Sequence, residues 1–164
     1  VMISHGTLNS LDLQASRRFY EEVLGFEVMQ VSPVSMQIRK GTHHTYVVVE
    51  TREPGRMGLL DHNGIDVASR EDVDAAYRVL VAVKDAYGIQ RINRPQEQHG
   101  AYSFYFADPD GNWWEILNGR PGGYSSLYDD PSRDLTGRTD IALEDLNHSY
   151  DDGYADTLRE SGAE

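Results

Sequence analysis

A chain of 164 residues without a single cysteine has no disulfide, no thiolate metal site and no cysteine nucleophile, so any metal must rest on His, Asp, Glu or Tyr. Its 39% apolar residues suffice for one compact domain or two small fused modules, and its net charge of −12 sets it against nucleic acid, whose phosphates need a basic surface. No run reaches the length of a bilayer span and no leader peptide is legible, so a cytoplasmic protein without membrane contact is expected.

The first segment, ISHGTLNSLDLQASRRFYEEVLGFEVM at 3–29, opens with a short strand carrying His5. Ala15, Phe19, Val23 and Leu24 then recur at helical spacing, with Ser10 or Asp12 as the cap and Gly25 as the stop. The runs FEVMQVS, SMQIRK and HTYVVVE read as strands. From residue 60, LDHNGIDVASREDVDAAYRVLVAVKDAYGIQRI repeats the scheme. His62 sits in its short strand, and Val73, Ala76, Tyr77 and Leu80 mark a helix face. Ser69 precedes that helix, Glu71 and Asp72 suit the positive end of its dipole, and Gly88 ends it. IQRINRP, AYSFYFAD and WWEILNG follow as strands, with the DPDG at 108–111 a hairpin turn between the last two. Alternation sends Ser103 and Tyr105 to one face and Phe104 and Phe106 to the other.

Both halves read β-α-β-β-β, and His5 and His62, 57 residues apart, stand at matching points. Duplication is the simplest account: module 1 over about 1–58 and module 2 over about 59–118. From residue 119 the texture changes to Gly, Ser, Asp and Tyr. The stretch 119–164 carries 11 of the 27 acidic and 4 of the 15 basic residues, and reads as an acidic C-terminal extension with a helical turn or two at DIALEDL and His148 on its surface.

Three residues suggest chemistry. Two imidazoles and one carboxylate, here His5, His62 and Glu115, can hold a divalent ion from one side and leave about three positions open. Glu115 lies in WWEIL, where burial among large apolar residues is costly for a lone carboxylate; an edge position, an ion pair or a metal ligand would each resolve this. In KGTHHTYVVVE, at 40–50, His43 and His44 must point to opposite sides of a strand, so one of them meets the core side.

The motifs ISHGTLNSLDLQASRRFYEEVLGFEV, HNGIDVASREDVDAAYRVL and YFADPDGNWWEI resemble the paired modules of the vicinal oxygen chelate superfamily, which includes glyoxalase I, bleomycin-resistance proteins, fosfomycin-resistance transferases and type I extradiol dioxygenases. The resemblance covers 3–118. It implies an α+β fold in which two βαβββ modules form a cupped eight-stranded mixed sheet, with a metal on His5, His62 and Glu115. HHTYVVV and SFYFADPDGNWWE resemble extradiol dioxygenases in particular. That likeness implies His44 as acid/base, facing the cup, with His43 outward. It also implies Tyr105 as a hydrogen-bond donor to a substrate oxygen and His99 as a polar active-site group of the preceding loop. The chain departs from the pattern at Gln96, where many extradiol enzymes carry histidine, and it has one pair of modules where the well-known members have two.

The function so implied is ring cleavage of a small catechol-like aromatic by O2 on Fe(II), with Mn, Zn, Ni or Co also compatible, in a homodimer or higher homo-oligomer. Met36, Trp113 and Tyr102 are candidate pocket walls, each with an ordinary core role as the alternative. Two rivals stand. A fourth ligand from His44 or Glu50 would favour glyoxalase-like lyase, isomerase or epimerase chemistry, and a bleomycin-resistance-like member would bind a cationic drug without metal.

Overall fold

The structure, a computed structural model, describes residues 3–41, 44–98 and 100–140, the side chain of Arg133 aside. Its elements run β1 (His5–Ser10), α1 (Leu13–Glu22), β2 (Glu27–Ser32), β3 (Ser35–Arg39), β4 (Thr45–Glu50), β5 (Asn63–Asp66), α2 (Arg70–Tyr87), β6 (Arg91–Ile92), β7 (Gln96–Gln98), β8 (Ala101–Ala107) and β9 (Trp113–Asn118). Short 3-10 turns cover Leu59–Asp61, Tyr124–Asp129 and Pro131–Arg133. No helix among the described residues is long and apolar enough to cross a membrane.

The chain divides into two compact units. One holds the residues up to Met57 with Leu80–Ile92 and Phe106–Trp113; the other holds Gly58–Val79, Asn93–Tyr105 and the chain from Trp114 onward. In the first unit a mixed sheet runs β1-β4-β3-β2, with β1 parallel to β4 and the other pairs antiparallel. Leu8, Val48 and Met36 stand side by side in register and are at most 2% exposed. Burying each such side chain stabilises by roughly 2 kcal/mol. Met36 is thus a core residue.

Helix α1 packs on this face of the sheet. Asp12 caps it, its Oδ1 accepting from the backbone N–H of Gln14 and of Ala15 at 2.9 Å each, and Gly25, at φ +63°, ends the segment. Its buried residues are Leu13, Ser16, Phe19 and Tyr20, so the face expected through Ala15 runs through Ser16 instead. The reason is a long-range partner: the Ser16 hydroxyl lies 2.6 Å from Asp110 Oδ2 and 2.7 Å from Ser10 Oγ. Helix α2 begins as expected, the Ser69 Oγ accepting from Asp72 N–H at 3.2 Å, and Gly88, at φ +73°, follows its end.

The 108–111 stretch is the expected turn, with Gly111 N–H donating to Asp108 O at 3.1 Å and Gly111 at φ +87°. It is also the polar hub of the first unit. Asp108 is fully buried and accepts from Tyr20 Oη at 2.8 Å, Asn112 N at 2.9 Å and Asp110 N at 3.0 Å. Asp110, 4% exposed, accepts from Leu11 N–H at 2.7 Å. Burial, which outweighs that bond and the Ser16 bond, pushes the Asp110 carboxyl up to about 6.

The folded chain therefore holds this proton more tightly than the unfolded chain, whose aspartates titrate near 3.9. Stability from this group is present below pH ~4 and is lost as pH rises through about 6. Asp110→Asn keeps an acceptor for Leu11 N–H and offers Ser16 an N–H. We expect it to match the wild type at pH 4 and to exceed it at pH 8 by up to about 3 kcal/mol, measured by denaturant unfolding at both pH values.

The second sheet runs β5-β9-β8-β6, with β7 also pairing β8. Strand β5 is parallel to β9, while β6 and β7 are antiparallel to β8. The run read as one strand, IQRINRP, is shorter than expected: β6 stops at Ile92, and a further short strand, β7, follows Pro95, which has no N–H to donate to a ladder. The described strands therefore number nine, in two sheets. The paired-module α+β architecture is as expected.

Candidate functional site

His62 follows the turn at Leu59–Asp61. Asp61 ties that turn, its Oδ2 accepting from Gly58 N–H at 2.9 Å. The His62 Nδ1 lies 2.6 Å from the Leu59 carbonyl oxygen. A carbonyl only accepts, so Nδ1 carries the hydrogen, and in the neutral ring the Nε2 lone pair is bare. Nε2 is 3.4 Å from Glu115 Oε2. Glu115 pairs across β5 and β9 with Gly64, the residue two beyond His62, which is how the two side chains come to one face.

Glu115 is 2% exposed. Its Oε1 accepts from Ser103 Oγ at 2.6 Å, and Ser103 in turn accepts from Gln98 Nε2 at 2.6 Å. The Tyr105 hydroxyl also hydrogen-bonds the carboxylate, and the Tyr105 ring meets the His62 ring edge to face with centroids 4.9 Å apart. Burial pushes the Glu115 carboxyl up, but the hydrogen bonds from His62, Ser103 and Tyr105 and the His62 charge outweigh it and hold it below the usual carboxylate range. Glu115 correspondingly holds the His62 imidazole above its ordinary value against the pull of partial burial.

A bare imidazole nitrogen facing an ionised carboxylate oxygen is repulsive unless a proton or a cation lies between them. The donor pair fits a divalent cation, and the Nδ1–H···O=C bond is the outer contact that orients a metal-bound histidine. Among the described residues no set of three His, Cys, Asp or Glu is grouped to hold a metal ion.

The remaining expected site residues fall as follows. His5 belongs to the first unit; it is exposed, its Nδ1 lies 2.7 Å from Ser4 Oγ, and it pairs in register with Thr45. His44, also in the first unit, is exposed and sets its ring against Tyr46 at 4.8 Å. The Tyr46 ring lies over Gly6, close enough that a Cβ there would meet it at 3.0 Å, and so on the Leu8–Val48 face that α1 covers. His44 and His5 therefore stand on opposite faces of the first sheet, and the structure does not bring them together. Glu50 accepts from Leu13 N–H at 3.0 Å and from Arg52 Nε at 3.2 Å. It serves the start of α1, which removes it as a fourth metal ligand. His43, His99, His148 and most of DIALEDL lie outside the described residues.

Tyr102 turns to α2, its hydroxyl 2.9 Å from Asp74 Oδ1 and its ring under the Arg70 guanidinium, so it is no wall of this site. Phe104 likewise meets Tyr77 of α2, which leaves Ser103 and Tyr105 on the Glu115 face as alternation predicts. Three contributors went unread in the sequence: the Leu59 carbonyl, Gln98 and Asp66. Asp66 continues the His62–Gly64 side of β5, and its carboxyl is raised by burial and by the Glu115 charge. The extension begins on this face: Asp66, Leu117, Arg120, Gly123 and Tyr124 line one small cavity, and a Cβ at Gly123 would come within 3.0 Å of Asp66 Oδ2.

Comparison with known proteins gives one family. The model of the Glyoxalase/Bleomycin resistance protein/Dioxygenase superfamily matches residues 2–116. Among solved structures, the chain is similar to a lactoylglutathione lyase from Agrobacterium tumefaciens at 22% identity, with a TM-score of 0.57 over 75% of this chain and 97% of that one. A glyoxalase/bleomycin resistance protein/dioxygenase from Nocardioides matches at 24% identity and a TM-score of 0.55, over 75% of this chain and 86% of that one. The bleomycin resistance determinant encoded on transposon Tn5 matches at 22% identity and a TM-score of 0.52, over 73% and 99%. At these identities the likeness is one of fold. No curated protein matches significantly.

Proposed function

This chain belongs to the Glyoxalase/Bleomycin resistance protein/Dioxygenase superfamily, and from that membership we propose a metal-dependent dioxygenase of the extradiol type, which opens a catechol-like ring by inserting both atoms of O2. The observation that carries the reading is the grouping of Tyr105, His62 and Glu115: a phenol hydroxyl and a ring beside a donor pair with one lone pair each to give. A metal-free reading would have His62 protonated and paired with Glu115; a divalent cation would take the place of that proton between the same two atoms. The four-ligand, glyoxalase-like alternative loses Glu50 to the α1 N-terminus.

In this proposal His62 and Glu115 hold the metal, Fe(II) before Mn, Zn, Ni or Co. When bound, the metal supplies positive charge for the paired oxygens of an ionised catechol and, as Fe(II), the redox chemistry that dioxygenation needs. The protein does the rest. Leu59 holds the His62 tautomer, and Ser103 holds one Glu115 oxygen so that the other faces His62. Tyr105 turns its hydroxyl hydrogen bond from Glu115 to a substrate oxygen and keeps its proton, steadying the phenolate as charge builds there. His44, on the Tyr46 side of β4, is left without a part. A homodimer belongs to the same proposal.

Oxygen uptake is the test. Protein loaded with Fe(II) is expected to consume one O2 per catechol and to release a yellow ring-opened product, while Zn-loaded protein consumes none. Metal retention without uptake across a panel of substituted catechols would overturn the dioxygenase reading and leave a lyase or isomerase.

A further inference from the structure

We infer that Gln98 and Ser103 are positioning residues for Glu115, joined in a hydrogen-bond relay whose direction decides which carboxylate oxygen is offered to a cation. The inference rests on the metal reading above and deepens it.

The relay lies wholly in the second unit. Gln98 on β7 is 7% exposed, Ser103 on β8 is fully buried, and Glu115 on β9 is 2% exposed. The Gln98 amide nitrogen reaches two atoms of Ser103: the backbone carbonyl oxygen at 3.3 Å and the hydroxyl at 2.6 Å. That carbonyl only accepts, so the NH2 end of the amide must face it; turned over, the amide would set oxygen against oxygen. The same NH2 group therefore donates to the Ser103 hydroxyl. With a lone pair so engaged, the hydroxyl has a single hydrogen to give, and the acceptor-only Oε1 of Glu115 lies 2.6 Å away. At the far end the Gln98 oxygen accepts from Gln96 Nε2 at 3.1 Å, so both ends of the amide are used.

The consequence is an asymmetric carboxylate. Oε1 is held by Ser103, and Oε2 faces Nε2 of His62 at 3.4 Å, with the Tyr105 hydroxyl also on the carboxylate. On the other side of the pair the Leu59 carbonyl sets the polarity of His62 by the same logic. Two backbone carbonyls, of Ser103 and Leu59, thus aim the lone pairs of both donors at one point before any ligand arrives. This also gives the short strand β7 a use. The break at Pro95 lets β7 pair separately with β8, Gln96 opposite Ser103 and Gln98 opposite Ala101, and from there the Gln98 amide reaches Ser103 on the diagonal.

The experiment is Zn2+ binding to the full chain by competition with a chromophoric chelator, with thermal unfolding as the folding control. Ser103→Ala is expected to weaken Zn2+ binding by about 10–100-fold, the range for losing an outer partner of a ligand. Ser103→Thr, which keeps the hydroxyl, should stay within about threefold of the wild type. Gln98→Met keeps the shape and removes the donor; it should fall between those two, because the Ser103 hydrogen is no longer forced toward Glu115. Should Ser103→Ala not fold, Gln98→Met and Ser103→Thr decide alone. Binding within twofold of the wild type in Gln98→Met and in any folded Ser103→Ala overturns the relay while the metal reading stands. A wild-type chain that binds no Zn2+ overturns the metal reading and the relay with it.

Discussion

Replacing His62 by alanine is expected to leave a folded protein without metal. Elemental analysis after Fe(II) or Zn2+ loading should find about one metal per chain in the wild type and none in His62→Ala. The loss should exceed the ~10–100-fold that removing an outer partner costs, because a donor atom itself goes. The variant also strips Glu115, 2% exposed, of its imidazole neighbour. Ser103 and Tyr105 still hydrogen-bond the carboxylate, so the chain stays folded at a cost of about 1–3 kcal/mol for the orphaned acceptor. Full metal retention in His62→Ala would remove the basis of the proposed chemistry.

The largest effect on stability is expected at Asp108, the polar hub of the first unit. Asp108→Ala takes the acceptor from a buried tyrosine hydroxyl and from the backbone N–H groups of Asp110 and Asn112 at one stroke. Tyr20 is itself fully buried, so its hydroxyl has no water to turn to. At about 1–3 kcal/mol for each buried donor left unsatisfied, the loss comes to about 3–5 kcal/mol, a large share of the 5–15 kcal/mol typical of a domain. Tyr20→Phe removes one donor together with its need and should cost only about 1 kcal/mol. Urea unfolding of the two variants checks the difference. A cost below 1 kcal/mol for Asp108→Ala would show that the turn does not depend on this hub.

Much of this was legible in the residues taken in order. Helix α1 carries its cap in Asp12 and its stop in Gly25, and these are local devices that act within a few residues. The strand alternation that sets Ser103 and Tyr105 apart from Phe104 is a property of the extended backbone, and the structure keeps it. Glu115 between Trp114 and Ile116 announced that something must satisfy it. Other features had a visible signal that pattern reading underweighted: Pro95 closes IQRINRP, only Arg91–Ile92 of that run forms a strand, and the short strand at Gln96–Gln98 follows it.

What the chain alone could not decide is which of two permitted arrangements each element takes. Alternation says that His43 and His44 oppose each other, yet whether His44 shares the His5 face depends on the register of β4 against β1 and on α1 lying over the Tyr46 side. Helical periodicity puts either Ala15 or Ser16 inward; Asp110, 94 residues away, selects Ser16. The partners of Glu115 come from β8 and the residue before β5, with Gln98 of β7 behind Ser103, and none is its neighbour in sequence. Local backbone preferences and the period of apolar residues are written within a few positions and survive folding unchanged. Hydrogen-bond direction, sheet register and the choice of face arise only when distant segments compete for the same buried space, and there the tertiary structure decides.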